Sequence, residues 1–169
     1  FNGGAGVSIY QGESSAVIEG CVFAENASSY HAGALLVNQS SASIRDCEFI
    51  GNTSAQDGGA IHLRASSYYD STVTLEGCFF EGNLASGAGN AIRLLVSGDD
   101  PPVPSMAFCT FAECCQIDPP RSIYDSGGND YESWCDDCRA DVNCRDNAVN
   151  AADLGILIGS WGTNDPQCD

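Results

Sequence analysis

The sequence predicts a mainly β protein: a right-handed parallel β-helix of about four rungs, then a small disulfide-rich segment carrying one calcium loop and helix. Three observations predict it. One phrase recurs four times around a cysteine and a phenylalanine. A second phrase alternates with the first and has the two-residue period of a strand. The C-terminal stretch abandons both for an acidic loop followed by a helical pattern.

The first phrase reads AVIEGCVFAEN (16–26), ASIRDCEFIGN (42–52), VTLEGCFFEGN (73–83) and PSMAFCTFAEC (104–114). Cys21, Cys47, Cys78 and Cys109 recur at intervals of 26, 31 and 31 residues, and Phe23, Phe49, Phe80 and Phe111 keep step two positions later. Ile18, Ile44, Leu75 and Met106 lie three positions before each cysteine. The second phrase reads GAGVSI (4–9), AGALLV (32–37), GGAIHL (58–63) and GNAIRL (89–94). Its apolar pairs Val7/Ile9, Leu35/Val37, Ile61/Leu63 and Ile92/Leu94 have the alternation of half-buried strands. Small residues before each pair suit a tight turn.

A lone repeat of this kind cannot cover its apolar face, whereas a stack of them can. Stacking aligns equivalent residues at about 4.8 Å into rows of Cys, Phe, aliphatic side chains and Asn (Asn26, Asn52, Asn83). The crossover rule makes the coil right-handed. Variable repeat length falls in loops such as 65–72 and 96–104, the second rich in proline. The chain divides into β-helix repeats (1–117), a Cys/Gly/Asp-rich connector (118–140) and the loop–helix segment (141–169).

GGAI at 58–61, with FAEN (23–26), FIGN (49–52) and FEGN (80–83), resembles the repeats of the polymorphic outer membrane protein family over roughly residues 1–115. The other second-phrase copies depart to GAGV, AGAL and GNAI, and the last FxxN reads FAEC. The resemblance implies a right-handed β-helix, a bacterial surface location and adhesion. It implies no catalytic residues.

The ten cysteines point to an oxidising compartment and export. They form two groups. Cys21, Cys47, Cys78 and Cys109 share the inward parity of the apolar residues and are expected as buried thiols, with bridged neighbours as the alternative. Cys114, Cys115, Cys135, Cys138, Cys144 and Cys168 lie where the repeat stops and are disulfide candidates, since that region has little core of its own. Cys144 is expected to pair with Cys168, tying the start of the acidic segment to its end.

The stretch DVNCRDNAVNAAD (141–153) follows the pattern of an EF-hand-type loop. Asp141, Asn143, Asp146, the Ala148 carbonyl, Asn150 and Asp153 fill the oxygen-ligand slots, and Ca2+ is the expected cofactor. One extra residue, in the pair Cys144–Arg145, loops out between ligands. Asn147 stands where the usual glycine would be, being the non-Gly residue that best tolerates a left-handed backbone. The alternative is a solvated, capped helix start. Leu154, Leu157, Ile158 and Trp161 follow on one helical face. Residues 141–162 together resemble one half of a type I dockerin, which implies calcium; a complete dockerin has two such loops and this chain shows one.

Six basic residues, all Arg, against 23 acidic ones give a net charge of −17. That leaves no basic patch for phosphate and argues against nucleic acid as a partner. No membrane span is legible. The chain opens at Phe1 within a repeated phrase, which reads as a processed chain or fragment and suggests an open coil end where copies stack. Self-association and a surface glycan or protein are the expected partners, and the expected location is secreted or bacterial cell surface. Asn38, Asn26 and Asn52 are sequons and glycosylation candidates, the last two already assigned to the Asn row. The outward slots Ser8, Leu36, His62 and Arg93, with Arg64 beside them, could form a polar patch but lack a clustered carboxylate pair. A non-enzymatic structural or adhesive protein, able to self-assemble into a fibre, is therefore expected. A carbohydrate-binding or polysaccharide-cleaving β-helix is the alternative.

Overall fold

A computed structural model describes residues 6–66, 72–97, 103–112, 117–118 and 124–131. Within these residues the regular structure is all β and every strand pair is parallel. The chain coils, and each coil lays its strands on those of the coil before it. Val7–Glu19, Val22–Ala24 and Ala27–Ser28 make the first coil; Leu35–Arg45, Glu48–Ile50 and Thr53–Ser54 make the second. The third uses Ile61–Ser66, Val73–Glu76, Phe79–Glu81 and Leu84–Ala85, and the fourth Ile92–Ser97, Ser105–Ala107 and Thr110–Phe111. Parallel pairing continues past Ile117 to Tyr131 through Ile117–Asp118, Tyr124–Asp125 and Asp130–Tyr131.

The expected loops explain why one sheet forks. Leu35–Arg45 is a single strand, yet its first part pairs with Ile61–Ser66 and its last part with Val73–Glu76. The insertion around 67–72 separates those partners in sequence without shifting the register of either.

The interior is the set of rows predicted from the repeats. Leu35, Ile61 and Ile92 are aligned and fully buried, as are Phe49, Phe80 and Phe111. The phenylalanine rings stack face to face, with centroids 5.0 Å (Phe23–Phe49), 5.0 Å (Phe49–Phe80) and 4.7 Å (Phe80–Phe111) apart. Neighbouring strands lie about this far apart, so each ring covers the next without leaving its rung. The cysteines at 21, 47, 78 and 109 are free thiols, the last three buried. Cys47 donates to the Arg45 carbonyl at 3.0 Å. Burial pushes the Cys47 thiol up, and the Cys109 side-chain hydrogen bond, then burial, does so for Cys78.

The first three coils turn at a corner occupied by asparagine. The Asn26 amide donates to Asn52 Oδ1 at 2.9 Å and the Asn52 amide to Asn83 Oδ1 at 2.9 Å. Asn52 and Asn83 also donate at 2.8 Å to the carbonyls of Phe23 and Phe49, one coil back. Corners align in backbone conformation as well: Ala32, Gly58 and Gly89 stack with φ of 54°, 69° and 71°.

Candidate functional site

The corner formed by Ala32, Gly58 and Gly89 creates the most unusual chemistry of the described residues. A left-handed residue three positions before the strand bends the chain back over the strand's outer side. Gly58 comes so close that a Cβ placed on it would stand 3.1 Å from the Cβ of His62. Outward slots that would face solvent on a bare sheet are thereby roofed. Leu36 is 2% exposed and His62 1% exposed, although neither belongs to the inward core.

Three polar side chains meet under this roof. His31 and Asp57 occupy the same slot of successive coils, four residues before Leu35 and Ile61, which are themselves paired. His62 follows Ile61. The His31 and His62 rings are 4.5 Å apart between centroids and tilted by 51°. His31 Nδ1 lies 3.5 Å from Asp57 Oδ2, while Asp57 Oδ1 accepts from the Ala88 amide at 3.0 Å. One donor atom from each of His31, Asp57 and His62 falls within 4.8 Å of the others.

His62 is the anomaly of the group. Neither of its ring nitrogens meets a partner in good hydrogen-bond geometry; the Asp57 backbone carbonyl is near enough only to favour the protonated ring weakly. Leaving such groups buried and unsatisfied costs on the order of 1–3 kcal/mol apiece. Burial lowers its pKa from 6.5 to about 4, helped by the charge of His31 and opposed by Asp57, so the ring is neutral at pH 7. Both edges of the cluster reach solvent through His31 and Asp57, whose side chains are 25% and 30% exposed.

This placement corrects the expected polar patch. His62 does not join Arg64 on an open face but lies beneath the turn, while Arg64 is exposed. The alignment of Ser8, Leu36, His62 and Arg93 as one row is as expected. What period-two reasoning missed is that the preceding turn covers the row at Leu36 and His62, while Ser8 stays exposed and Arg93 half-buried. The signal was present in the Ala/Gly column three residues upstream, and in Leu36, an apolar residue in an ostensibly outward slot.

Of the three sequons, Asn52 is fully buried with its amide engaged twice, and a glycan there would break the corner row. Asn26 is half-buried and donates to Asn52, and Asn38 is half-buried between Tyr10 and Arg64 of adjacent strands. The calcium-ligand set Asp141, Asn143, Asp146, Ala148, Asn150 and Asp153 lies outside the described residues. So do the helix after it and the disulfide candidates Cys114, Cys115, Cys135, Cys138, Cys144 and Cys168.

Comparison with curated proteins and with solved structures gives no match. A family model described as "Right handed beta helix region" matches residues 1–104, more than half of the 169 residues, and the parallel coils seen here are those such a model describes. The chain belongs to the right-handed β-helix region family.

Proposed function

We propose that this β-helix is a non-enzymatic structural or adhesive element of an exported bacterial surface protein. One observation carries the reading. Its recurrent phenylalanine and asparagine side chains are committed to one another, in a ring stack from Phe23 to Phe111 and an amide chain from Asn26 to Asn83. Such continuity makes a stiff spacer whose sides are free to vary. The resemblance of the GGAI and FxxN phrases to polymorphic outer membrane protein repeats supports the surface location. Calcium at 141–153 belongs to the same reading, as reinforcement of the C-terminal segment. So does end-to-end association of copies.

The test uses the purified full chain on immobilised glycans, on cell-surface extracts and on soluble polysaccharides. The expected result is retention on a surface ligand with no change in polysaccharide chain length. Release of new reducing ends, lost on mutation of residues of this chain, would replace the reading with the polysaccharide-cleaving alternative. Light scattering across a concentration series reads association separately: growth in mass is expected, and a constant monomer mass would remove fibre formation.

A further inference from the structure

We propose that His31, Asp57 and His62 form a binding site for one divalent transition-metal ion of the zinc class. The site would fasten the turn of the second coil to the third.

Geometry and donor chemistry carry this. Donor atoms from three side chains converge within 4.8 Å, with His31 Nδ1 and Asp57 Oδ2 3.5 Å apart. Tetrahedral ligands at zinc distances are separated by about 3.3 Å, so the widest pair must close by about 1.5 Å. His31 and Asp57 sit on the turns at the solvent edge and can supply that movement by side-chain rotation. Two imidazoles and one carboxylate suit a borderline ion and are a poor set for calcium, which takes oxygen ligands. Three protein ligands leave a fourth position for water on the exposed side.

A second, independent observation is the orphaned ring. His62 is buried with neither ring nitrogen in good hydrogen-bond geometry, the Asp57 backbone carbonyl interacting only weakly, in a slot that the preceding coil fills with Leu36. Packing alone is met by leucine there, so an imidazole gains nothing from the slot itself. A metal ion would use the lone pair of the one His62 nitrogen that joins the cluster. Asp57 supplies local negative charge, against which Arg64 is the nearby opposing one. His31 and Asp57 belong to the same column of different coils, so the ion would cross-link successive rungs where backbone pairing turns a corner.

The experiment titrates Co2+, then Zn2+, into the metal-free full chain and follows the visible ligand-field bands, with melting curves alongside. One bound equivalent is expected, with the intensity of four-coordinate cobalt and without the charge-transfer absorption of a thiolate. Zinc should displace cobalt and raise the melting temperature. His31→Ala, on the exposed turn, and His62→Leu, which copies Leu36, should each weaken binding by at least about tenfold, since losing even an outer-shell partner costs that much. Affinity unchanged in both variants would overturn the proposal. So would thiolate-type absorption insensitive to them, which assigns the metal to cysteines. Absence of uptake at millimolar cobalt would leave water as the ring's sole partner and would also overturn it. If His62→Leu does not fold, His31→Ala decides alone.

Discussion

At the scale of the residue, His62 is the position where sequence rule and structure part company most. It sits in a leucine-compatible slot with both ring nitrogens unsatisfied, so His62→Leu should stabilise the metal-free protein at pH 7 by about 1–3 kcal/mol. Acid should expose the same residue. Above pH 6.5 the ring is neutral folded and unfolded, and its contribution is constant. Between pH 6.5 and about 4 the unfolded ring takes a proton that the buried ring refuses, so stability falls with falling pH. A shift of this size corresponds to about 3 kcal/mol across that window. His31 and then Arg64 add to the lowering through their charge, and Asp57 opposes it through its charge and its backbone carbonyl. Urea denaturation of the wild type and His62→Leu, in chelator at several pH values, checks both statements. The carboxylates are common to the two proteins, so the difference between their curves isolates the histidine. A parallel pair of curves would mean that the folded ring titrates normally.

At the scale of the element, each strand is short and its stability comes from the rows it completes. Phe80 is stacked on both faces, by Phe49 and Phe111, and is fully buried, whereas Phe23 is half-buried and stacks on Phe49. Phe80→Ala should therefore cost about 3–5 kcal/mol, and Phe23→Ala clearly less, in equilibrium unfolding. Equal losses would show that the rows do not share load as the geometry says. The corners are just as restrictive. A Cβ on Gly59 would stand 2.0 Å from the Asn90 carbonyl oxygen and 2.6 Å from the Leu84 amide nitrogen. Gly59→Ala must push the third and fourth coils apart, at a cost of about 1–3 kcal/mol or more, readable as a lower denaturation midpoint. Much at this scale was legible from the sequence: the Cys, Phe, aliphatic and Asn rows follow from recurrence at four positions, because a stack of coils repeats its environment. The site was not legible in the same way. His31 and Asp57 share a column, but His62 is in another, and only the backward bend of the turn over the strand unites them. Period-two patterning specifies which side of a strand a residue takes and is silent about what later covers that side.

At the scale of the whole molecule, a stack of coils has stability that is nearly a sum of rung terms and neighbour terms. Metal binding at separate places should then act separately. Two such places are proposed: the His31–Asp57–His62 cluster between the second and third coils, and the acidic loop at 141–153 read from the sequence alone. Their donors differ in kind, imidazole and carboxylate in one and oxygen throughout in the other, so zinc and calcium should sort between them. After chelation, adding calcium back should restore heat resistance to the C-terminal segment, and Asp153→Ala should abolish that restoration while leaving the zinc response intact. His31→Ala should do the reverse. Limited proteolysis with fragment identification, alongside calorimetry, separates the two because cleavage near 141–153 and cleavage near the turn at 28–33 give different products. If neither cation protects its own segment, or one variant removes both responses, the two-site account fails. Independent responses would instead mark two separate points of reinforcement, as the proposed spacer role would use.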